Sequence, residues 1–225
     1  MSYVLCIDWA KNHIGYAMYD RCISNVILVG NTSKKFEEYC KNHLTKEYEI
    51  HSHEYINSNA YQSMQVDYIV STIEDYFHQG GNSVDITQLD CEIILEGIYV
   101  ARANRVTTST LQARGVFITR LYEELNVSEY LEYAPKKVKL TFAGNGKADK
   151  VDIRNNIVIN GDSLFTSETI QVYEAQCTET LTKQVYTVDE FLDMYKTISG
   201  KRFDIECDIG DALALLYTHN KLGED

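Results

Sequence analysis

Three places in this chain put a carboxylate where it could do chemistry. Asp8 closes the apolar run Tyr3-Val-Leu-Cys-Ile7, and Glu96 closes the run Cys91-Glu-Ile-Ile-Leu95. Asp208 and Asp211, spaced i, i+3, open a predicted last helix, where that spacing puts both carboxylates on one face. An acid at the end of an apolar strand lies near the core, where its charge is costly without a cation. Four such groups brought together repel one another, and divalent ions with hard oxygen ligands, Mg²⁺ or Mn²⁺, resolve that conflict. A pair of ions about 3.5–4 Å apart can activate water and stabilise a leaving alkoxide at a phosphodiester. A plainer reading stands beside this one. Asp208 serves equally as a helix N-cap and Asp211 as a first-turn complement to the helix dipole, while Asp8 or Glu96 alone could be an ion-paired strand end.

Other candidates carry less. His51-Ser-His53 has ligand spacing for a strand, but it falls in a predicted polar loop with no Cys nearby. Gly144-Asn-Gly-Lys147 lacks the full phosphate-loop pattern and does not follow a predicted strand, so it reads as a turn bearing a base. The 17 tyrosines read mostly as half-buried strand and helix residues.

Positioning these acids requires a sheet. Residues 3–7, 14–19 and 26–29 are short apolar strands with no helix-length segment between them, which predicts an antiparallel meander. Helices are expected over 34–44 and, from helical apolar spacing ended by Gly80-Gly81, over 56–78. The strand ending at Glu96 comes next, then a helix over 106–125, a strand over 130–133, and a helix opened by Pro135 and broken by Gly144-Asn-Gly146. A helix over 148–158 and the last one over 208–222 complete a mixed sheet flanked by helices. Residues 159–206 hold nine acids and four bases with alternating Thr, Val and Tyr, and read as a β-hairpin followed by a helix over 188–199. The chain is expected to form one domain, residues 1–225, with 159–206 inserted in it.

With 225 residues the chain is long enough for a full core. A single proline excludes collagen-like and Pro-rich disordered classes. No apolar run approaches the roughly 20 residues of a membrane span, and the N-terminus shows no basic segment followed by an apolar one, so neither membrane nor secretion is expected. Six scattered Cys with no C-x-x-C pair fit buried thiols in a reducing cytoplasm. The net charge of −12 argues against a nucleic-acid partner, yet residues 100–154 carry ten bases against six acids, a local excess of +4. Such a stretch is either a phosphate footprint or a solvated face.

Five segments in order resemble a known family. Ile7-Asp-Trp-Ala-Lys-Asn-His-Ile-Gly-Tyr16, Leu95-Glu-Gly-Ile-Tyr-Val-Ala-Arg102 and Leu111-Gln-Ala-Arg-Gly-Val116 are three of them. Leu131-Glu-Tyr-Ala-Pro-Lys-Lys-Val-Lys139 with Gly144-Asn-Gly-Lys-Ala-Asp-Lys150 is the fourth, and Asp208-Ile-Gly-Asp-Ala-Leu-Ala214 with Thr218-His219 is the fifth. Together they are similar to the RuvC-type Holliday junction resolvases, members of the RNase H-like nucleases, over roughly 100 residues. The resemblance implies an α/β fold with an RNase H-like mixed five-stranded sheet flanked by helices, the hairpin-plus-helix segment lying before the last helix.

It also implies roles. Asp8, Glu96, Asp208 and Asp211 would bind two Mg²⁺ ions, Mn²⁺ substituting. Lys139 and Lys150 would act at the scissile phosphate. Tyr99 would stack on an unpaired base, and Arg102, Arg105, Lys136, Lys137 and Lys147 would line the phosphate track. The implied protein is an endonuclease that resolves four-way and other branched DNA by paired nicks, a homodimer through the 106–125 helix with Gly115 at the seam. Leu111, Ile118, Leu121 and Tyr122 would supply the apolar area there. It would serve recombination and repair in the cytoplasm, or in a host's cytoplasm for a viral chain. Ala10 in place of the family's usual Gly, the length of 159–206 and the acidity are departures that look more like a phage-type member. The alternatives are an RNase H-like nuclease that processes RNA and a junction-binding protein without catalysis.

Overall fold

The structure, a computed structural model, describes residues 2–10, 14–32, 53–79, 85–98, 105–175, 182–197 and 201–223. Strands β1 (Ser2–Trp9), β2 (Ile14–Asp20) and β3 (Asn25–Thr32) form the expected antiparallel meander. Helix α1 (His53–Gln79) leads to a single 3₁₀ turn (Ile86–Gln88) and to β4 (Asp90–Glu96), which pairs parallel to β1. Helix α2 (Arg105–Glu124) leads to β5 (Val127–Tyr133), parallel to β4. Short helices α3 (Pro135–Ala143), α4 (Lys150–Ile159) and α5 (Gly161–Leu164) follow. The hairpin β6 (Thr169–Ala175) and β7 (Thr182–Thr187), helix α6 (Val188–Thr197) and helix α7 (Lys201–Gly223) complete the described chain.

Strand order is β5-β4-β1-β2-β3-β6-β7. The first five positions form the expected mixed five-stranded sheet. The hairpin does not stand apart from it: residues 171–175 pair parallel to residues 28–32, filling the edge that β3 would otherwise leave open and widening the sheet to seven strands. Thr187 and Glu190 then start α6 with a reciprocal cap. Each side chain accepts from the other residue's backbone N–H, at 3.2 and 2.9 Å.

Alternation along β1 divides the core. Tyr3, Leu5, Ile7 and Trp9 face α1 and α2, while Val4 and Cys6 face α7 with α3, α4 and α6. The same period sends Asp8 to the α7 side. On β4, Ile93 and Leu95 face α1 and α2, and Ile94 faces α7, so Glu96 shares the side of Asp8.

Three expectations need correction. Helix α7 begins at Lys201, seven residues before Asp208, so Asp208 and Asp211 lie inside the helix and neither caps it. On α2, Leu121 is fully buried with Ala113 and Phe117, whereas Leu111 and Tyr122 are exposed and Gly115 faces open space. Leu121 therefore belongs to the core, and the outer stripe is Leu111, Gly115, Ile118 and Tyr122, at helical spacing. His53 opens α1 and does not lie in a loop. The helix expected over 34–44 lies outside the described residues.

Helix α7 is buried on all sides from Ala212 to Leu216 and rests directly on β2. Gly15 makes the approach possible, since a Cβ there would lie 1.9 Å from the backbone oxygen of Asp208. Gly15 is also the strand partner of Asp8, so this contact draws the acids of α7 toward β1. Backbone cannot yield as a side-chain tip can. We expect Gly15→Ala to destabilise the fold by about 3 kcal/mol, the upper range for overpacking, measured by urea unfolding. A loss below about 1 kcal/mol would mean that α7 can lift off β2.

Candidate active site

The site forms where two parallel strands end. The β1–β4 register pairs Ile7 with Leu95, so Asp8 and Glu96 are each one residue beyond the last pair, on neighbouring strands and on the same face. Asp211 and Asp208 approach from α7. Two bases oppose them: Lys139 from α3, and Lys150 from the first turn of α4. Pro135 starts α3 without a side-chain cap, and Gly144 ends it in the left-handed conformation at φ 70°. Asp149 then starts α4 by accepting from the N–H groups of Val151 and Asp152, which fixes the place of Lys150.

The titration behaviour follows from this crowding. Burial, then Asp211, Glu96 and Asp208, push the Asp8 carboxyl well above its ordinary range, against the pull of Lys150. Burial and Asp211 raise Glu96 to about 7, opposed by Lys139 and Arg114. Burial raises Asp211 to about 6, opposed by Lys150 and Lys139. Two lysines thus leave the acids undercompensated. Among the described residues, no three His, Cys, Asp or Glu side chains are gathered as a ready cation cage. The donor set itself fits a hard divalent ion: it is all oxygen, half-buried and mutually repelling.

The remaining expected residues distribute as follows. Lys136, Lys137 and Lys147 are exposed. The stem of Lys136 lies against Gly146, which brings the turn at 144–147 onto α3, and the Lys137 ammonium sits 5.3 Å from the Tyr133 ring centroid. Arg105 is the first residue of α2. Tyr99 and Arg102 lie outside the described residues.

Some contributors were not singled out from sequence. Trp9, next to Asp8, is buried and donates from Nε1 to Gln62 Oε1 at 3.0 Å. Arg114, one base among the inward-facing Ala113, Phe117 and Leu121, is itself 5% exposed. Its presence in an otherwise apolar helical face was the available signal. At the other end of α7, buried Glu92 bonds both Arg21 and His219 Nε2, the latter at 3.1 Å, and His219 Nδ1 meets Tyr133 Oη at 3.1 Å. These groups floor a cavity of about 750 Å³ walled by Tyr19, Leu131 and Tyr217. Their polar atoms satisfy one another, so the cluster reads as a brace for the end of the helix.

Residues 52–160 match the family model described as crossover junction endodeoxyribonuclease RuvC. Two curated relatives carry that same name, both from Prochlorococcus marinus. The one from strain MIT 9301 is 47% identical over 57 residues, which is 25% of this chain and 34% of the relative. The one from strain MIT 9312 is 42% identical over 55 residues, 24% of this chain and 33% of the relative. The matched stretch thus spans about a third of the length of these relatives. Among solved structures, Thermus thermophilus RuvC superposes with a TM-score of 0.43 at 15% identity, covering 99% of this chain and 95% of that one. T. thermophilus RuvC in complex with Holliday junction substrate superposes with a TM-score of 0.45 at 13% identity, covering 100% and 96%.

The raised acids predict a pH dependence. A carboxyl whose folded pKa exceeds its unfolded value, about 4, stabilises the fold most at low pH and loses that contribution as pH rises through the folded pKa. For Glu96 and Asp211 the loss runs from about pH 4 to about 7. In EDTA the thermal midpoint is expected to fall between pH 5 and pH 8, and millimolar Mn²⁺ to restore it at pH 8 by mass action. Asp211→Asn should flatten both responses. A midpoint indifferent to Mn²⁺ at pH 8 would count against a cation site.

Proposed function

We propose that this chain, of which residues 52–160 match the RuvC family model, is a RuvC-type, metal-dependent endonuclease that resolves four-way and related branched DNA by paired nicks. The observation that supports this reading is that Asp8, Glu96 and Asp211, from the ends of two parallel strands and from α7, lie near enough to influence one another's protonation, with Lys139 and Lys150 opposing them. The four acids, Asp208 included, would hold Mg²⁺, or Mn²⁺ in its place, two ions per site. Bound divalent ions would supply an activated water and charge neutralisation at both oxygens of the displaced phosphodiester.

The protein's own groups do the rest. Lys139 and Lys150 are held by helix starts and ends, not by free loops, so their charge is in place before the phosphate arrives, which is what preorganised stabilisation requires. Arg105, Lys136, Lys137 and Lys147, with Arg102, bind backbone phosphates and set register. Tyr99 stacks on a base that the junction leaves unpaired. No helix among the described residues is long and apolar enough to cross a membrane, and a cytoplasmic role in recombination or repair suits this chemistry.

Paired nicks need two sites on opposed strands, and a two-fold dimer supplies them most simply. The outer stripe on α2, exposed Leu111, Gly115 and Tyr122 with half-buried Ile118, is the proposed seam. A side chain at Gly115 meets nothing within the protomer, so its smallness serves an external neighbour.

The direct test is cleavage of labelled four-way, three-way, flap and linear DNA with Mg²⁺, Mn²⁺ or EDTA. Preferential nicking of the four-way substrate, abolished by EDTA, is expected, and equal cutting of linear duplex would overturn the assignment. Asp8→Asn, Glu96→Gln and Asp211→Asn should each lower nicking by roughly a thousandfold while junction affinity holds.

The lysines should separate by role. Lys139→Ala and Lys150→Ala should cost about 10²–10³ in turnover. Lys136→Ala and Lys137→Ala should instead weaken binding and reduce its salt slope by about 1 each. Light scattering should give twice 25.8 kDa for the wild type, and Gly115→Arg should give a folded monomer that nicks one strand and releases.

A further inference from the structure

We propose that Arg114 is a positioning residue that sets the separation of the two strand-end carboxylates by tying together the ends of β1, β4 and β5; this rests on the nuclease reading above. Its side chain leaves α2 and reaches the point where all three parallel strands stop. Nη2 donates to the main-chain oxygen of Glu96 at 2.8 Å and to Glu132 Oε1 at 3.0 Å. The guanidinium carbon lies 5.5 Å from the centroid of the Trp9 ring. Trp9 follows Asp8 in β1, and Glu132 precedes Tyr133, the strand partner of Glu96 in β5. One planar group therefore contacts the residue after Asp8 in β1, the main chain of Glu96 in β4 and Glu132 in β5.

The anchors of this group are themselves held. Trp9 is fixed by its bond to Gln62 and by the ring of Phe117, 6.1 Å away. Glu132 also accepts from Tyr130 Oη, and Gly97 donates to the Tyr133 carbonyl at 2.8 Å, closing β4 onto β5 just past Glu96. The carbonyl of Glu96 lies at the end of its strand, and Arg114 satisfies it.

Stability alone is a poor explanation for an arginine here. Its side chain is 6% exposed, its acidic partner Glu132 is 40% exposed, and its Nη1 is buried without a hydrogen bond. An apolar chain of similar length would fill the space without stranding a donor. What an apolar chain cannot do is hold three strand ends at a fixed spacing through one rigid fork. Groups that orient ligands in this way change metal affinity by about 10- to 100-fold when removed.

The probe is Mn²⁺ alone, titrated into the full-length protein without DNA and read by the electron spin resonance of the free ion. Arg114→Met and Arg114→Lys, each checked for native far-UV circular dichroism, should bind Mn²⁺ at least 10-fold more weakly than wild type. Junction affinity in EDTA should stay within twofold, since no phosphate contact is lost. Arg120→Met is the control: on the same helix it breaks pairs with Asp67, Glu123 and Glu124 but touches no strand end, so Mn²⁺ binding should not change. Glu132→Gln, at an exposed position, provides a variant that folds even if Arg114→Met does not, and should weaken Mn²⁺ about threefold or more. Wild-type Mn²⁺ affinity in the folded Arg114→Lys and Glu132→Gln proteins would overturn the assignment, as would an equal loss in Arg120→Met. If the wild type bound no Mn²⁺, the nuclease reading would fall first and this inference with it.

Discussion

Like charges gathered in a place that water reaches poorly are the constraint around which this molecule is arranged. Asp8, Glu96, Asp208 and Asp211 could each be solvated cheaply on a surface. Here the sheet and α7 bring them near one another, and burial outweighs every nearby base in setting the protonation of Asp8, Glu96 and Asp211. Lys139, Lys150 and Arg114 reduce the imbalance without removing it. A core designed only to fold would replace such a cluster with apolar side chains and gain stability. The rest of the architecture makes sense as the apparatus needed to keep the acids there: parallel β1 and β4 ending in step, Gly15 admitting α7 to within backbone contact, and a capped α4 presenting Lys150.

How much of this was legible in sequence depended on whether the signal was local. Asp8 and Glu96 were readable because an apolar run ending in an acid is a local pattern, and both runs are strands. The turn chemistry around Pro135 and Gly144-Asn-Gly146 was local too, and the helices on either side of it are present. The start of α7 was not readable. Residues 201–207 alternate Phe203, Ile205 and Cys207 with charged residues, a strand-like period, so the helix seemed to begin at Asp208. The physical consequence is considerable. At a helix start a carboxylate has a capping explanation, whereas one to three turns inside, it has none. The two faces of α2 posed a different problem. Leu111, Gly115, Ile118 and Tyr122 form one helical stripe and Ala113, Phe117 and Leu121 another. Only packing against Trp9 and the sheet decides which is inward. The pairing of β3 with β6, some 140 residues apart, leaves no local trace at all.

Acidity and the proposed recognition of DNA are compatible once distance is considered. The formal charge of −12 is a property of the whole chain, but a phosphate at the site meets what lies within about 10 Å, the screening length at 0.1 M salt. Within the chain the bases concentrate on α2, α3 and α4, and the acids elsewhere, including the 159–206 segment whose hairpin joins the far edge of the sheet from β5. Salt screens that distant negative charge and leaves the local positive field. The same arrangement disfavours indiscriminate adsorption to duplex, because only a substrate that presents its backbone to the basic elements escapes the repulsion.

Helix α2 belongs to both halves of this logic. Its inner face supplies Phe117 to the ring of Trp9 and Arg114 to three strand ends, so it is part of the wall that holds the acids. Its outer face carries exposed Leu111 and Tyr122 around a glycine with open space above it. A helix is stiff along its axis, and Arg114 and Gly115 are adjacent residues. A partner seated on the outer stripe would therefore press on the element that holds the guanidinium. If the molecule cuts two strands as proposed, a seam one residue from the clamp on the acids would make assembly and site geometry parts of the same rigid body.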